Sequence, residues 1–296
     1  MKIQTVIRNP REKFHYVLKK IKQNLFWDFY YNSLRKPKVK KFYVSTPQTE
    51  KTITDDLLKH GFKLINLKID KNDYRNYLTF AEYKKYTAYY KAIKKDFLNK
   101  TLEHYIAAKL LNLNKDDIFM DIACAHSPAA KIYQKLFQCR VYQQDLEFPE
   151  GIHGNIIGGN ASDLPLENES VTKISLHCSF EHFEQNSDVE FIKEANRVLC
   201  KGGKLCIVPL YLATEYLIQT DPSAVPYGGI SYEDNAILYC SKGWGWRHGR
   251  FYSVPQLIKR IKNNLNGMKL KIFVIQNKMD FDPTCYIKFI GFFEKS

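Results

Sequence analysis

The stretch IFMDIACAHSP, residues 118–128, decides the fold. An apolar run ends in Asp121 and small residues follow, an order typical of a buried strand that opens into a tight turn. Four further segments continue along the chain: VYQQDLEFP at 141–149, GGNASDLPLENESV at 158–171, LHCSFEHF at 176–183 and EANRVLCKGGKLCIVPLY at 194–211. Their alternation of strand-like and helix-like patterns predicts a parallel sheet with helices on both faces.

The apolar pattern also gives the expected elements and domain limits. We predict strands at residues 117–122, 139–144, 154–158, 171–177, 203–209, 268–276 and 284–293. Upstream we predict a helix from near Thr52 or Thr54 to Gly61, a strand at 62–69, a helix from Tyr83 to about Leu98 and a helix over 97–113. The chain therefore divides into an accessory segment, residues 1–82, and a main domain, residues 83–296.

Composition predicts a folded cytoplasmic protein. Hydrophobic residues make up 45% of the 296, enough for a sizeable core. The sequence contains no run of eighteen apolar residues, and MKIQTVIRNPREK at the start lacks the apolar stretch of a signal peptide. The seven cysteines show no C-x-x-C pair, so we expect reduced thiols.

The net charge of +14 is concentrated in the first third of the chain. Residues 1–100 hold 24 Lys and Arg against 9 Asp and Glu, whereas residues 101–296 hold 21 against 22. The asymmetry indicates either an anionic partner or a solvated lysine-rich surface.

A basic amphipathic helix is predicted from Arg11 to about Leu34. Its apolar residues recur at three- and four-residue steps: Phe14, Val17, Leu18, Ile21, Leu25 and Phe29. Aromatic residues crowd its end, at 26–31, and suit a membrane interface or packing against the enzyme body equally well. We therefore expect a peripheral contact of residues 11–41 with acidic membrane, on its inner face, as one use of the charge.

Together the segments resemble the class I S-adenosylmethionine-dependent methyltransferases, in particular the subgroup with D-A-x-x-L-P-F and R-V-L-K-P-G-G signatures. The matching stretches are NASDLP at 160–165 and RVLCKGG at 197–203. The resemblance implies a Rossmann-like, seven-stranded, mostly parallel sheet, with the last strand antiparallel between the fifth and sixth. It also implies S-adenosylmethionine as cofactor.

Where the family writes D/E-x-G-x-G-x-G, this chain has Ala123, Ala125 and Ser127 at the glycine positions. These side chains are small, so main-chain groups can still approach the cofactor wherever φ stays negative. Asp145 ends the second strand, where a carboxylate binds ribose hydroxyls; a helix N-cap is the alternative. Asn160 replaces the family's acid opposite adenine, and its amide oxygen can accept from the amino group. The predicted cofactor-binding residues are Asp121, Ala123, Cys124, Ala125, His126, Asp145, Leu146, Asn160, Ala161, Ser162 and His177.

Transfer to a hydroxyl needs a base for its proton, and four side chains are candidates. They are His182 and Glu181, which follow the fourth strand and rank first, then His177 and His248. Glu181 and His182 alternatively anchor the following helix. Some relatives bind a divalent metal through E-x-x-E-H here, but Cys178 stands at the first acid, so we predict no metal.

The acceptor pocket is expected in the long aromatic insertion at residues 210–252. Its candidate substrate-binding residues are Trp244, Trp246, Arg247, His248 and Arg250. They fit a sugar ring and an anionic group, or alternatively an aromatic lid with surface arginines.

The predicted function is O-methylation of a sugar, glycan precursor or other small anionic metabolite. A non-catalytic binding protein that kept the fold is one alternative. A nucleic-acid methyltransferase is another, and the absence of a recognisable nucleic-acid module argues against it.

Overall fold

The computed structural model describes residue 21, residues 25–224 and residues 229–296. The helices are α1 (residues 25–33), α2 (Pro47–Lys59), α3 (Lys71–Ala81), α4 (Thr87–Ala92), α5 (Phe97–Leu111), α6 (Ala129–Phe137), α7 (Ser187–Val198) and α8 (Val254–Arg260). The strands are β1 (Lys38–Val39), β2 (Lys63–Leu67), β3 (Ile118–Ile122), β4 (Arg140–His153), β5 (Ile156–Gly158), β6 (Val171–His177), β7 (Leu199–Val208), β8 (Leu217–Thr220), β9 (Ile237–Cys240), β10 (Gly249–Phe251), β11 (Met268–Ile275) and β12 (Phe289–Lys295).

The large sheet has the order β2-β11-β12-β7-β6-β3-β4-β5. Strands β4, β3, β6 and β7 pair in parallel, and β12 lies antiparallel between β7 and β11. This confirms the predicted α/β architecture and its antiparallel last strand. Strand β2 adds an eighth member by pairing with β11, so part of the predicted accessory segment is integral to this sheet.

The two faces of the sheet carry separate halves of the core, because successive residues of a strand point to opposite sides. Met120 and Ile122 of β3 face α2, α7 and α8, whereas Phe119 faces α3, α5 and α6. All three β3 side chains are fully buried. The continuous apolar run of β3 is thus explained by burial on both faces.

Two upstream predictions were wrong in detail. Helix α2 begins at Pro47, where the Thr46 and Thr49 side chains form a capping box, and not near Thr52 or Thr54. Its end near Gly61, whose φ is +68°, agrees with the prediction. The predicted helix from Tyr83 to Leu98 is broken into a 3-10 turn at Tyr83–Lys85, the short α4 and a second 3-10 turn at Lys94–Asp96.

The aromatic insertion forms a second, four-stranded sheet of order β1-β9-β8-β10. The N-terminal strand β1 pairs in parallel with β9, so the basic segment and the insertion build this sheet jointly. Helix α1 lies against it through Trp27, which is 3% exposed and stacks on Tyr31.

The predicted amphipathic helix is described only in its last part; residues 11–20 and 22–24 lie outside the described residues. Within that part, the apolar stripe faces outward: Ile21, Leu25 and Phe29 are 49%, 73% and 68% exposed. Among the described residues, none of the helices has the length and apolarity to cross a bilayer.

Candidate active site

The topology of the sheet places a crevice between β3 and β6. From β3 the chain continues to β4 and β5 on one side, while β6 and β7 lie on the other, so the strand order reverses between β3 and β6. In open α/β sheets, ligands bind outside the carboxyl ends of the strands at this reversal. The segments that follow β3 and β6, residues 123–128 and 178–182, therefore border the expected site.

The turn after β3 is held against the end of β4 by two hydrogen bonds. Ala123 N donates to Gln144 Oε1 at 3.2 Å, and Ala125 N donates to Asp145 Oδ2 at 2.6 Å. Ala123 and Ala125 have φ of 50° and 47°, so both occupy the left-handed region. The condition of negative φ is therefore not met at Ala123 and Ala125, because the tight turn keeps the glycine conformation there although the residue is Ala.

Asp145 and Leu146 end the straight part of β4 beside this turn. Asp145 is 8% exposed, and its Oδ1 accepts from Glu147 N at 3.0 Å. Leu146 is 73% exposed and leaves an apolar surface open beside the Asp145 carboxylate. A carboxylate beside an uncovered apolar surface fits a nucleoside, whose ribose is polar and whose base is flat.

The loop after β5 is held by hydrogen bonds to side chains of α7, the helix that precedes β7. Arg197 Nη2 donates to Leu164 O at 2.9 Å and to Glu194 Oε1 at 2.6 Å, while Glu194 Oε1 also accepts from Leu164 N at 2.7 Å. Asn160 is exposed, and its Oδ1 accepts from Ser162 N at 3.0 Å. The arginine of RVLCKGG thus shapes the predicted adenine loop.

The loop after β6 carries the leading catalytic candidates. Glu181 is 5% exposed; Cys178 Sγ donates to its Oε1 at 3.2 Å, and its Oε2 has no hydrogen-bond partner among the described residues. His182 Nδ1 lies 2.5 Å from His248 O, and its ring centroid lies 4.9 Å from that of Trp246. Burial raises the pKa of the Cys178 thiol, with Glu181 adding to it, so the thiol stays a donor.

The insertion meets this loop directly. His248 Nδ1 lies 3.0 Å from Glu181 O, and its buried Nε2 has no partner among the described residues. Burial lowers the pKa of His248, with Arg250 contributing, so its ring is neutral. The ring centroids of Trp244 and His182 lie 6.1 Å apart, and Arg247 Nη2 donates to Glu184 Oε2 at 3.0 Å. The structure therefore brings most of the predicted acceptor residues beside the predicted base.

Arg250 is the exception, since its side chain is 0% exposed and fully engaged. Its guanidinium lies 2.9 Å from Asp188 Oδ2, pairs with Glu233 and donates to the Phe183 and Gln185 carbonyls at 2.8 Å each. The prediction that Arg250 contacts the substrate was wrong, because these partners leave no donor directed at an incoming ligand. Arg250 instead has a structural role.

His177 lies inside a buried network and not at an open surface. Its Nδ1 is 3.0 Å from Asp121 Oδ1, its Nε2 is 3.3 Å from Tyr133 Oη, and its side chain is 5% exposed. Asp121 Oδ2 has no partner among the described residues. An unpaired carboxylate oxygen at the end of β3 fits the cationic amino group of S-adenosylmethionine, so the residues present fit that cofactor.

Sequence reasoning missed several buried or half-buried polar residues near the same loop. They are Lys100, Glu103 and His104 of α5, Tyr211 after β7, and Tyr286 before β12. Lys100 is 5% and Glu103 0% exposed, and Lys100 Nζ lies 3.1 Å from Glu103 Oε2. The sequence does contain one indication of these residues. The mostly polar stretch NKTLEH, residues 99–104, lies on a predicted helix that must pack against the sheet.

With the geometry in hand, comparison with known proteins gives one family match. The family model described as Methyltransferase domain matches residues 120–207, which contain the β3 turn, Asp145, the adenine-loop candidate and the loop after β6. None of the curated proteins matches the chain.

Three solved structures illustrate the likeness in fold. The 1,6-didemethyltoxoflavin-N1-methyltransferase of Burkholderia thailandensis is 11% identical over 77% of this chain and 91% of its own, with a TM-score of 0.46. A SAM-dependent methyltransferase of Methanosarcina mazei is 14% identical over 62% and 94%, with a TM-score of 0.42. The geranyl diphosphate C-methyltransferase of Streptomyces coelicolor is 13% identical over 66% and 78%, also at 0.42. Likeness at this level leaves the substrate of this chain open.

The matched segment contains every predicted cofactor-binding residue from Ala123 to His177, and these residues lie along one edge of parallel strands. Residues 120–207 therefore form a methyltransferase domain, whose cofactor is S-adenosylmethionine.

Proposed function

We propose that this methyltransferase transfers a methyl group to a hydroxyl of a small molecule, a sugar or glycan precursor being the preferred class. The observation that carries the proposal is Glu181 Oε2, a buried carboxylate oxygen at the crevice with no hydrogen-bond partner among the described residues. A carboxylate in that state accepts a proton or a hydroxyl hydrogen bond readily.

The cofactor supplies an electrophilic methyl group when it is bound. We assign its ribose to Asp145, its base to the surface of Leu146 and the loop 160–162, and its amino group to Asp121. The Asp145 carboxylate already orders the turn through Ala125 N, so the same side chain shapes the turn and binds the ribose.

Glu181 then holds the proton that the acceptor hydroxyl loses. Cys178 fixes one carboxylate oxygen through its thiol and leaves the other oxygen for the acceptor. His182 and His248 position this carboxylate, since His248 Nδ1 contacts the Glu181 backbone and His182 contacts the His248 carbonyl. Trp246, whose ring lies 4.9 Å from that of His182, offers a flat apolar wall for a sugar ring.

The test is isolation of the acceptor with a labelled methyl donor in extract fractions, followed by kinetics of Glu181→Gln. We expect a kcat loss of about 10²- to 10⁴-fold, the usual contribution of a general base, with S-adenosylhomocysteine affinity unchanged by calorimetry. His182→Gln, which keeps a hydrogen-bonding group, should lose less. If the labelled product carries its methyl group on nitrogen or carbon, the proposal of O-methylation fails.

We also propose that the N-terminal region contacts an acidic membrane surface. The support is the outward apolar stripe of Leu25 and Phe29 on α1, together with the excess of Lys and Arg in residues 1–100. Trp27 anchors the opposite side of α1 to the insertion sheet, so the stripe stays outside.

Liposome sedimentation tests this contact. The double substitution Leu25→Ser and Phe29→Ser should reduce binding to vesicles containing phosphatidylserine, and binding should weaken as salt is raised. Phe80→Ser is the matched control, because Phe80 is 62% exposed and lies far along the chain. Equal sedimentation of the double variant and the control would exclude α1 as the contact.

A further inference from the structure

Six polar or aromatic side chains, three buried and three half-buried, form a continuous cluster on the acceptor side, which we call the polar cluster. Its members are Lys100, Glu103, Cys178, Glu181, Tyr211 and Tyr286. Lys100 Nζ lies 3.1 Å from Glu103 Oε2, and Tyr286 Oη donates to Glu103 Oε1 at 2.5 Å.

The second half of the cluster connects these groups to the proposed base. The rings of Tyr211 and Tyr286 lie 6.1 Å apart, Tyr211 Oη lies 3.4 Å from Cys178 Sγ, and Cys178 Sγ donates to Glu181 Oε1 at 3.2 Å. The unpaired Glu181 Oε2 is the open hydrogen-bonding position of this arrangement among the described residues. Such an opening indicates a ligand that brings its own hydrogen bond.

The position and burial of the cluster argue against a purely stabilising role. Lys100 is 5%, Glu103 0% and Glu181 5% exposed, and taking charges out of water costs free energy that a pair seldom recovers. Cys178 and Glu181 lie directly after β6 at the crevice, while Lys100 and Glu103 lie in the helix that precedes β3. Helix α5 packs against β6 and β7, so the cluster lies beside the end of β6, which borders the site.

The charges of the cluster nearly cancel. Burial alone would lower the pKa of Lys100, but the groups around it, with Glu103 among them, raise that pKa above its ordinary value, so Lys100 is charged. Burial raises the pKa of Glu103 to about 7, with Lys100 opposing. One ammonium faces two carboxylates, one of them readily protonated. The cluster has no excess positive charge to attract an anionic acceptor, and the Lys100 ammonium would repel a cationic one.

We propose that the polar cluster binds an uncharged acceptor with several hydroxyl groups, in which Glu181 accepts from the reacting hydroxyl and Lys100 donates to a neighbouring oxygen. This inference rests on the proposed hydroxyl methylation and adds the charge class of its substrate. Lys100 is a binding residue in this arrangement, and Tyr286 positions its partner Glu103.

The test is ligand binding to the full chain loaded with S-adenosylhomocysteine, measured by saturation-transfer NMR and calorimetry. The probes are uncharged monosaccharides and cyclitols, each paired with its own phosphate and, for the sugars, with the 2-amino analogue. We expect uncharged probes to bind and their phosphates to bind about tenfold more weakly, or not at all.

Lys100→Met should weaken the uncharged probes about tenfold, the usual contribution of a hydrogen bond from a charged group, and leave S-adenosylhomocysteine affinity unchanged. Tyr286→Phe, a milder change, should weaken them less and serves where Lys100→Met fails to fold. The inference is overturned if the phosphates or the amines bind more tightly than the uncharged probes, or if none of the probes binds. Loss of methyl transfer to oxygen would instead overturn the proposed function, so the two failures are distinguishable.

Discussion

Replacing Ala123 and Ala125 by Gly is expected to stabilise the protein. Both residues have φ near 50°, where the Cβ of an L-residue crowds the following carbonyl at a cost of roughly 1–2 kcal/mol. Glycine relieves that cost but gives the unfolded chain more freedom, which takes back about 0.4–1 kcal/mol. The difference leaves a gain of about 0.5–1 kcal/mol for each substitution and about 1–2 kcal/mol for the pair, if the sites are additive.

Urea denaturation followed by circular dichroism measures this gain, and the melting temperature should rise by about 3 °C for the pair. Ala88→Gly is the matched control. Ala88 is exposed in α4, where φ is helical, so the same chemical change should there cost about 0.5–1 kcal/mol. The two Ala→Gly changes thus have opposite predicted signs.

The reasoning is refuted if Ala123→Gly and Ala125→Gly destabilise the protein as much as Ala88→Gly does. That result would mean that the turn after β3 does not hold Ala123 and Ala125 in the left-handed region. Calorimetry with S-adenosylhomocysteine on the double variant gives a second readout, because removal of both Cβ atoms should leave cofactor affinity equal or higher.

Three further outcomes are expected. Asp145→Ala should abolish S-adenosylhomocysteine binding by calorimetry, whereas Glu147→Gln, at an exposed neighbour, should leave it unchanged; retained affinity in Asp145→Ala would remove the ribose assignment. Arg250→Met should lower the free energy of unfolding by about 3–5 kcal/mol, because it leaves Asp188 and Glu233 short of a partner, whereas Arg247→Met should lower it by less than about 1 kcal/mol. Glu103 has a folded-state pKa of about 7, above the ordinary 4.5, so between these values the folded state binds more protons than the unfolded state. The free energy of unfolding should therefore fall as pH rises from 5 to 7, and Glu103→Gln should flatten that slope in urea denaturation. An unchanged slope in Glu103→Gln would contradict the raised pKa of Glu103.

The order of the sheet could be predicted because its signals are local or belong to the fold as a whole. Apolar runs such as residues 118–122 mark strands that are buried on both faces, and the structure confirms β3 and β6 almost residue by residue. The segment at residues 83–98 could not be predicted in the same way. Its lysines and tyrosines recur at helical spacing, yet tertiary contacts such as Tyr83 Oη with His104 Nδ1 at 2.8 Å break it into short turns.

The site was predictable where it follows strand ends and unpredictable where it depends on distant segments. Asp145 lies in β4 opposite Gly158, and Glu181 lies in the short turn after β6, so the sheet determines the position of both. The contact of Tyr286 with Glu103 joins residues 183 positions apart, and no periodicity in the sequence connects them. For Arg250 the sequence predicted a functional contact that the structure does not show. An arginine between aromatic residues indicates a binding surface in the sequence, but Arg250 is enclosed by the carboxylates of Asp188 and Glu233.

The separation of charge between the surface and the site explains how one chain can serve both proposed partners. The excess of Lys and Arg lies in residues 1–100, and most of those described are exposed, including Lys41 and Arg35 next to β1. Lys100, in contrast, is buried and balanced by Glu103 within the polar cluster. A long-range attraction for anions therefore acts at the N-terminal surface, whereas the acceptor site carries almost no net charge. Salt should accordingly weaken membrane association but leave the affinity of the acceptor nearly constant, because buried groups are screened much less than exposed ones.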